Sequence, residues 1–153
     1  MADVSTRIID PLESMELRRS VLRPALPVGA EMPGDREPGV VHIGAFDGST
    51  LASACLIFPE SCPWQPGRPA WRLRSMATDP NRRGGGFGAL VVAEAARVAR
   101  AESAEILWCH ARETALGFYA RHGWQSYGEI FDTDIGPHQK MWLDLAGSES
   151  DEQ

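Results

Sequence analysis

The chain has 153 residues, 43% of them apolar and 24% charged, the balance of one globular domain with enough apolar surface for a real core. A net charge of −6 argues against a nucleic-acid-binding surface, and the lone lysine, Lys140, argues against a P-loop or other lysine-dependent chemistry. Three cysteines, Cys55, Cys62 and Cys109, are an odd number, two of them inside apolar runs, which points to a reducing compartment without disulfides. No apolar run approaches the length of a membrane span, and the first residues lack the apolar stretch of a secretory signal. A cytoplasmic protein with no membrane partner is the expectation.

Residues 4–10 read as a short strand. Pro11 suits the first turn of a helix that carries Leu12, Met15, Glu16, Arg19 and Leu22, and Pro24 and Pro27 end it because neither has a backbone donor. Four prolines and three glycines make 24–39 a loop. Two strands follow, 40–46 and 51–58, joined by the turn residues Asp47-Gly48-Ser49-Thr50. After a second loop, 59–70, alternation predicts a strand over 71–78, and a glycine-rich turn leads into a helix over 88–101. A short strand over 106–109 and a helix over 112–122, stopped by Gly123, come next. Strands 124–131 and 138–145 then form an antiparallel pair around a Gly136-Pro137 loop, and 146–153 read as an acidic, disordered tail. The order β-α-β-β-β-α-β-α-β-β predicts an α/β fold (α+β by some schemes): a mixed, mostly antiparallel sheet of six or seven strands with helices on both faces.

The most informative stretch is Asp79-Pro80-Asn81-Arg82-Arg83-Gly84-Gly85-Gly86-Phe87-Gly88-Ala89. Glycines allow positive φ and close approach of the backbone to a ligand. The helix start then offers unpaired N–H groups and a positive dipole end, which suit a pyrophosphate, and Arg83 can add a charge-assisted contact. Alone, such a turn also reads as simple punctuation before a helix. Gly84-x-Gly86-x-x-Ala89 loosely fits a dinucleotide fingerprint, but the next strand, ending near Cys109-His110, brings no acidic residue for a ribose.

Downstream stands Arg112-Glu113-Thr114-Ala115-Leu116-Gly117-Phe118-Tyr119-Ala120-Arg121-His122-Gly123-Trp124. Together with Arg83-x-x-Gly86-x-Gly88, this resembles the GCN5-related N-acetyltransferase (GNAT) superfamily, with Trp124 where Phe is common. The resemblance covers residues 4–145, and Ile135-Gly136-Pro137-His138-x-x-Met141 is similar to a branch of small, uncharacterised members. It implies that acetyl-CoA is the acetyl donor and that a small-molecule amine, or a peptide, is the acceptor. Residues Arg83, Gly84, Gly85, Gly86, Phe87, Gly88 and Ala89 would bind the pyrophosphate. Met76, Ala77 and Thr78 would offer main-chain groups to the pantetheine arm between two strands that part, 71–78 and 105–110. Arg112 stands where the family often has Asn, so its contact to the cofactor would run through a guanidinium. A homodimer is a family-level expectation.

The same resemblance makes Tyr119 the general acid that protonates the departing CoA thiolate, a task suited to a phenol. Read by residue type alone, Tyr119 is a helix-face core residue. An amine nucleophile must also lose a proton, and His110 is the candidate base, with a backbone-bonded strand-end histidine as the alternative. Glu60 and Asp79 are further candidates, and His138 reads as a turn-stabilising residue, with a place in the acceptor pocket as the alternative. Cys109 and His110 are strand neighbours and point to opposite faces, which discounts a Cys/His nucleophile. The four histidines and three cysteines show no metal-ligand spacing, so no metal is expected. A non-catalytic acyl-CoA-binding module on the same scaffold is the competing reading.

Overall fold

The computed structural model describes residues 3–146, so the acidic tail expected beyond Ala146 lies outside the described residues. The chain divides into two compact units, Met1–Phe58 with Leu73–Val98, and Pro59–Arg72 with Ala99–Gln153.

In the first unit, β1 (Val4–Ile9) pairs antiparallel with β2 (Val41–Asp47), which pairs antiparallel with β3 (Thr50–Pro59). Helix α1 (Pro11–Leu22) starts on a reciprocal capping box: the Leu12 amide donates to the Asp10 carboxylate at 2.8 Å, and the Asp10 amide donates to the Glu13 carboxylate at 3.0 Å. Ile9, Phe46 and Ala54 form a buried cluster with Leu17 and Leu51 against it. Of these, Ile9 and Phe46 are the large buried side chains, each contributing on the order of 1.5–3 kcal/mol. Gly44 lets Leu51 and Ile9 pack close to the backbone: a Cβ there would lie 2.7 Å from Leu51 Cδ1 and 3.2 Å from Ile9 Cδ1. β4 (Ala70–Thr78) runs into a 3₁₀ turn, Pro80–Arg82, and then into α2 (Phe87–Ala101), whose Val91, Val92, Ala95 and Ala96 make the buried stripe.

In the second unit, β5 (Ile106–Arg112) pairs in parallel with the start of β4, over Ala70–Arg72 against Ile106–Trp108. On its other side it pairs antiparallel with β7 (Gly136–Asp144), which pairs antiparallel with β6 (Gln125–Thr133). A 3₁₀ turn, Glu113–Ala115, and the short helix α3 (Leu116–Arg121) join β5 to β6. Segment 59–70, expected as a loop, is fastened to this sheet. Cys62 is fully buried with Ala70, Ile106 and Trp108, and Trp64 stacks on Tyr127 with centroids 5.0 Å apart.

Several boundaries differ from expectation. The helix over 112–122 begins only at Leu116, because Arg112 continues β5 and lies opposite His138 of β7. The strand over 106–109 therefore runs three residues longer, and His110 sits inside it rather than at its end. The Gly136-Pro137 loop belongs to β7; the turn is made by Asp134 and Ile135, and Gly136 takes φ +112 as the strand begins.

Candidate active site

Two sets of residues carry the candidate chemistry, one in each unit. In the first unit, Arg82 ties the turn after β4 by donating to Asp79 at 2.7 Å and to Asp47 at 3.1 Å. The Asp79 carboxyl is held below its ordinary range, first by the Asn81 amide and then by Arg82. With its oxygens committed to this turn, Asp79 is a poor base. Beyond it, Gly84 and Gly86 adopt φ +86 and +87, and a Cβ at either would meet nothing within 4 Å. Both are therefore glycine for conformation, with open space on the side a side chain would fill.

The first helical bond of α2 runs from the Leu90 amide to the Gly86 carbonyl at 3.1 Å. Helix geometry leaves the amides of Phe87, Gly88 and Ala89 without intrahelical acceptors. Arg83 is exposed and makes no ion pair among the described residues. Open glycines, first-turn amides and an uncommitted guanidinium fit the pyrophosphate of an acyl-CoA. Gly85 is the tight member of the turn: a Cβ there would lie 3.2 Å from the Arg82 carbonyl and from the Phe87 ring.

Just upstream, the end of β4 carries a feature that sequence alternation hides. Ser75 adopts φ +57 in mid-strand, a left-handed conformation that costs a non-glycine residue about 1–2 kcal/mol. Ala77 is buried, and its carbonyl accepts from Ser53 Oγ at 3.0 Å, which also lies 3.0 Å from Thr78 Oγ1. Met76 and Thr78 are half-buried.

In the second unit, Tyr119 is 3% exposed, held between Trp124 at 4.9 Å and Phe118 at 5.2 Å. Gly123, at φ +90, ends α3 as expected and delivers Trp124, whose amide donates to the Tyr119 carbonyl at 3.1 Å. Burial pushes the Cys109 thiol up to about 12, so it is neutral at physiological pH.

His110 is half-buried, and one of its contacts is to a side chain, with Arg72 Nη2 3.3 Å from Nδ1. Arginine has only donors, so a hydrogen bond here is one in which Nδ1 accepts. Arg72 also donates to Glu60 at 3.1 Å and lies 4.6 Å over Trp108, while the Phe131 ring stands 5.2 Å from His110. Glu60 is thus tied to Arg72 through its carboxylate. His138 has the turn role expected of it, with Nδ1 2.9 Å from the Gly136 carbonyl and 3.2 Å from Thr133 Oγ1. Arg112 closes β5 half-buried. Among the described residues no group of three His, Cys, Asp or Glu side chains stands where a metal ion would be held, and no helix is long and apolar enough to cross a membrane.

Residues 12–124 match the model of the acetyltransferase (GNAT) family. The chain is 32% identical over 150 residues to "Uncharacterized N-acetyltransferase YitI" of Bacillus subtilis (strain 168), covering 97% of this chain and 99% of that protein. Among solved structures it is similar to FeeM, an N-acyl amino acid synthase from uncultured soil microbes. That likeness has a TM-score of 0.76 at 14% identity and covers 98% of this chain and 95% of FeeM. It is also similar to an aminoglycoside 6'-N-acetyltransferase complexed with coenzyme A, with a TM-score of 0.68 at 14% identity, covering 92% of this chain and 97% of that one. At such identities the structural likenesses establish the fold: seven strands and three helices in the acetyltransferase arrangement. With the family model spanning most of its length, the chain belongs to the GNAT family of acetyltransferases.

Proposed function

We propose that the enzyme moves an acetyl group from acetyl-CoA to a primary amine of a small molecule, or of a peptide, by direct attack of the amine on the thioester. The observation that carries this reading is the turn before α2, where Gly84 and Gly86 hold positive φ over open space and three first-turn amides follow. Residues 83–89 would take the pyrophosphate, with Arg83 adding its charge. The main chain of Met76, Ala77 and Thr78 would lie along the pantetheine arm, and Arg112 would contact the cofactor through its guanidinium.

Tyr119 is the proposed general acid, giving its phenolic proton to the sulfur as the CoA thiolate leaves. His110 is the proposed base, and Arg72 Nη2 lies 3.3 Å from its Nδ1. Arg72 also donates to Glu60, so the three side chains form one polar group. The net charge of −6 favours a cationic acceptor through its field. The aminoglycoside 6'-N-acetyltransferase of similar fold was crystallised with coenzyme A, which supports the choice of donor.

An assay of free-thiol release from acetyl-CoA over a panel of primary amines tests the proposal. Release that depends on an amine is the expected result. Tight binding of CoA with no amine-dependent release would favour the non-catalytic acyl-CoA-binding module instead.

A further inference from the structure

His110 belongs to a row of side chains on one face of the sheet in the second unit. Lys140 of β7 is the register partner of both His110 of β5 and Tyr127 of β6, so the three stand side by side. The Phe131 ring centroid lies 5.0 Å from Lys140 Nζ and 5.2 Å from the His110 ring. Trp64 stacks on Tyr127, and Arg72 reaches His110 from the β4 side. Glu60 answers the charge of Arg72, whose Nε is nevertheless buried without an acceptor. Lys140 has no such answer: it is half-buried, and among the described residues its ammonium meets a ring and no carboxylate. A ring face replaces only part of the hydration that a half-buried ammonium gives up.

We infer that Lys140 takes the carboxylate of the acceptor, which makes the acceptor a free amino acid rather than a simple amine or a peptide terminus. The inference rests on the reading of His110 as the base, which sets the acceptor's amine at that ring. Directly opposite residues on antiparallel strands have Cβ atoms about 4.5–5.5 Å apart, so the neighbouring ammonium stands within reach of a carboxylate one carbon from the amine. The pairing is charge-assisted, and the site's rings keep it from full hydration. A peptide's first residue carries a neutral amide in place of that carboxylate and leaves Lys140 unanswered. The net charge of the chain draws the ammonium end of an amino acid from a distance, and Lys140 holds the other end at contact. The rings of Phe131, Tyr127 and Trp64 offer apolar surface to its side chain.

Leucine, leucinamide and isoamylamine test this, since they share an amine and a side chain and only leucine has a carboxylate. The wild-type kcat/KM for leucine should exceed that for either analogue by about tenfold or more. Lys140→Met should bring the ratio toward one, and Lys140→Arg, which keeps the charge, should restore most of it. Binding is read without turnover, because Lys140 is the lone lysine. Reductive methylation with isotope-labelled methyl groups gives it one NMR signal, identified by its loss in Lys140→Met. With CoA present, that signal should move on titration with leucine and stay in place with isoamylamine. A wild-type ratio near one, a ratio unchanged in folded Lys140→Met, or a signal indifferent to leucine overturns the inference and leaves the transferase reading standing. A signal that moves with leucine in a protein that acetylates none of the three, nor any other amine, overturns the transferase reading and with it the acceptor role, so the two failures are told apart.

Discussion

The Arg18 guanidinium and the Asp35 carboxylate meet through two hydrogen bonds, 2.9 and 2.8 Å long, with side-chain exposures of 0% and 6%. Arg18 is further held by Ser14 Oγ at 2.9 Å and the Pro11 carbonyl at 3.2 Å, so this buried charge has its donors committed. The pair pins the segment after α1 to the helix itself. Removing one partner strands the other charge out of water, which typically costs about 3–5 kcal/mol. Asp35→Ala should lower the unfolding free energy by that amount in urea titration, while removing an exposed pair such as Arg36–Glu31 should cost less than about 1 kcal/mol.

His42 gives the same region a pH dependence. Its Nε2 lies 3.0 Å from the Asp35 carbonyl, its Nδ1 is buried without a partner, and burial holds the imidazole below its ordinary value of 6.5, with Arg18 adding to the effect. A depressed native value means the unfolded chain takes up the proton more readily. The stability from neutral His42 is therefore complete above about pH 6.5 and is lost as pH falls toward the native value. The slope should not exceed about 1.4 kcal/mol per pH unit for one proton. His42→Gln should flatten the unfolding free energy between pH 7 and 5, and an unchanged slope would remove His42 as its source.

The glycine turn makes a sharper prediction. Gly86→Val places a branched side chain in the open space beside the first amides of α2. Acetyl-CoA affinity should fall at least tenfold in calorimetry, about 1.4 kcal/mol. At φ +87 the new side chain also costs about 1–2 kcal/mol of backbone strain, so a thermal melt must show the variant folded at the assay temperature. Unchanged affinity in a folded variant would take the turn out of the site.

For Tyr119, the expectation is a split between turnover and binding. Tyr119→Phe keeps the ring between Phe118 and Trp124 and removes only the hydroxyl. Turnover should drop about 10²–10⁴-fold with KM for acetyl-CoA nearly unchanged, while stability shifts by about 1 kcal/mol. Wild-type turnover would make the phenol structural.

Elements with strong periodicity or punctuation were legible in the sequence. Pro11 marked the start of α1, four glycines marked the turn before α2, and Gly123 marked the end of α3, because each is a local requirement of backbone geometry. Asp10-x-x-Glu13 is equally local, the sequence form of the capping box that starts α1. Long-range pairing was not legible. Arg112 joined β5 rather than a helix because its strand partner is His138, and nothing local to 112–115 announces that. The burial of Arg18 depends on Asp35, which lies 17 residues away across a proline-rich loop. Ser75 breaks its strand's geometry with a residue type that carries no such preference. The contacts of Arg72 with His110 and with Glu60 join residues 38 and 12 positions apart and required a fold to be seen.

The most direct test of the central claim is stoichiometric: free CoA thiol and acetylated amine measured together over a panel of small primary amines and peptides. The account predicts thiol release only when an acceptor is present, one acetylated product for each thiol, and loss of both signals in Tyr119→Phe. Binding of acetyl-CoA without acceptor-dependent release, across amines of varied charge and size, would contradict it.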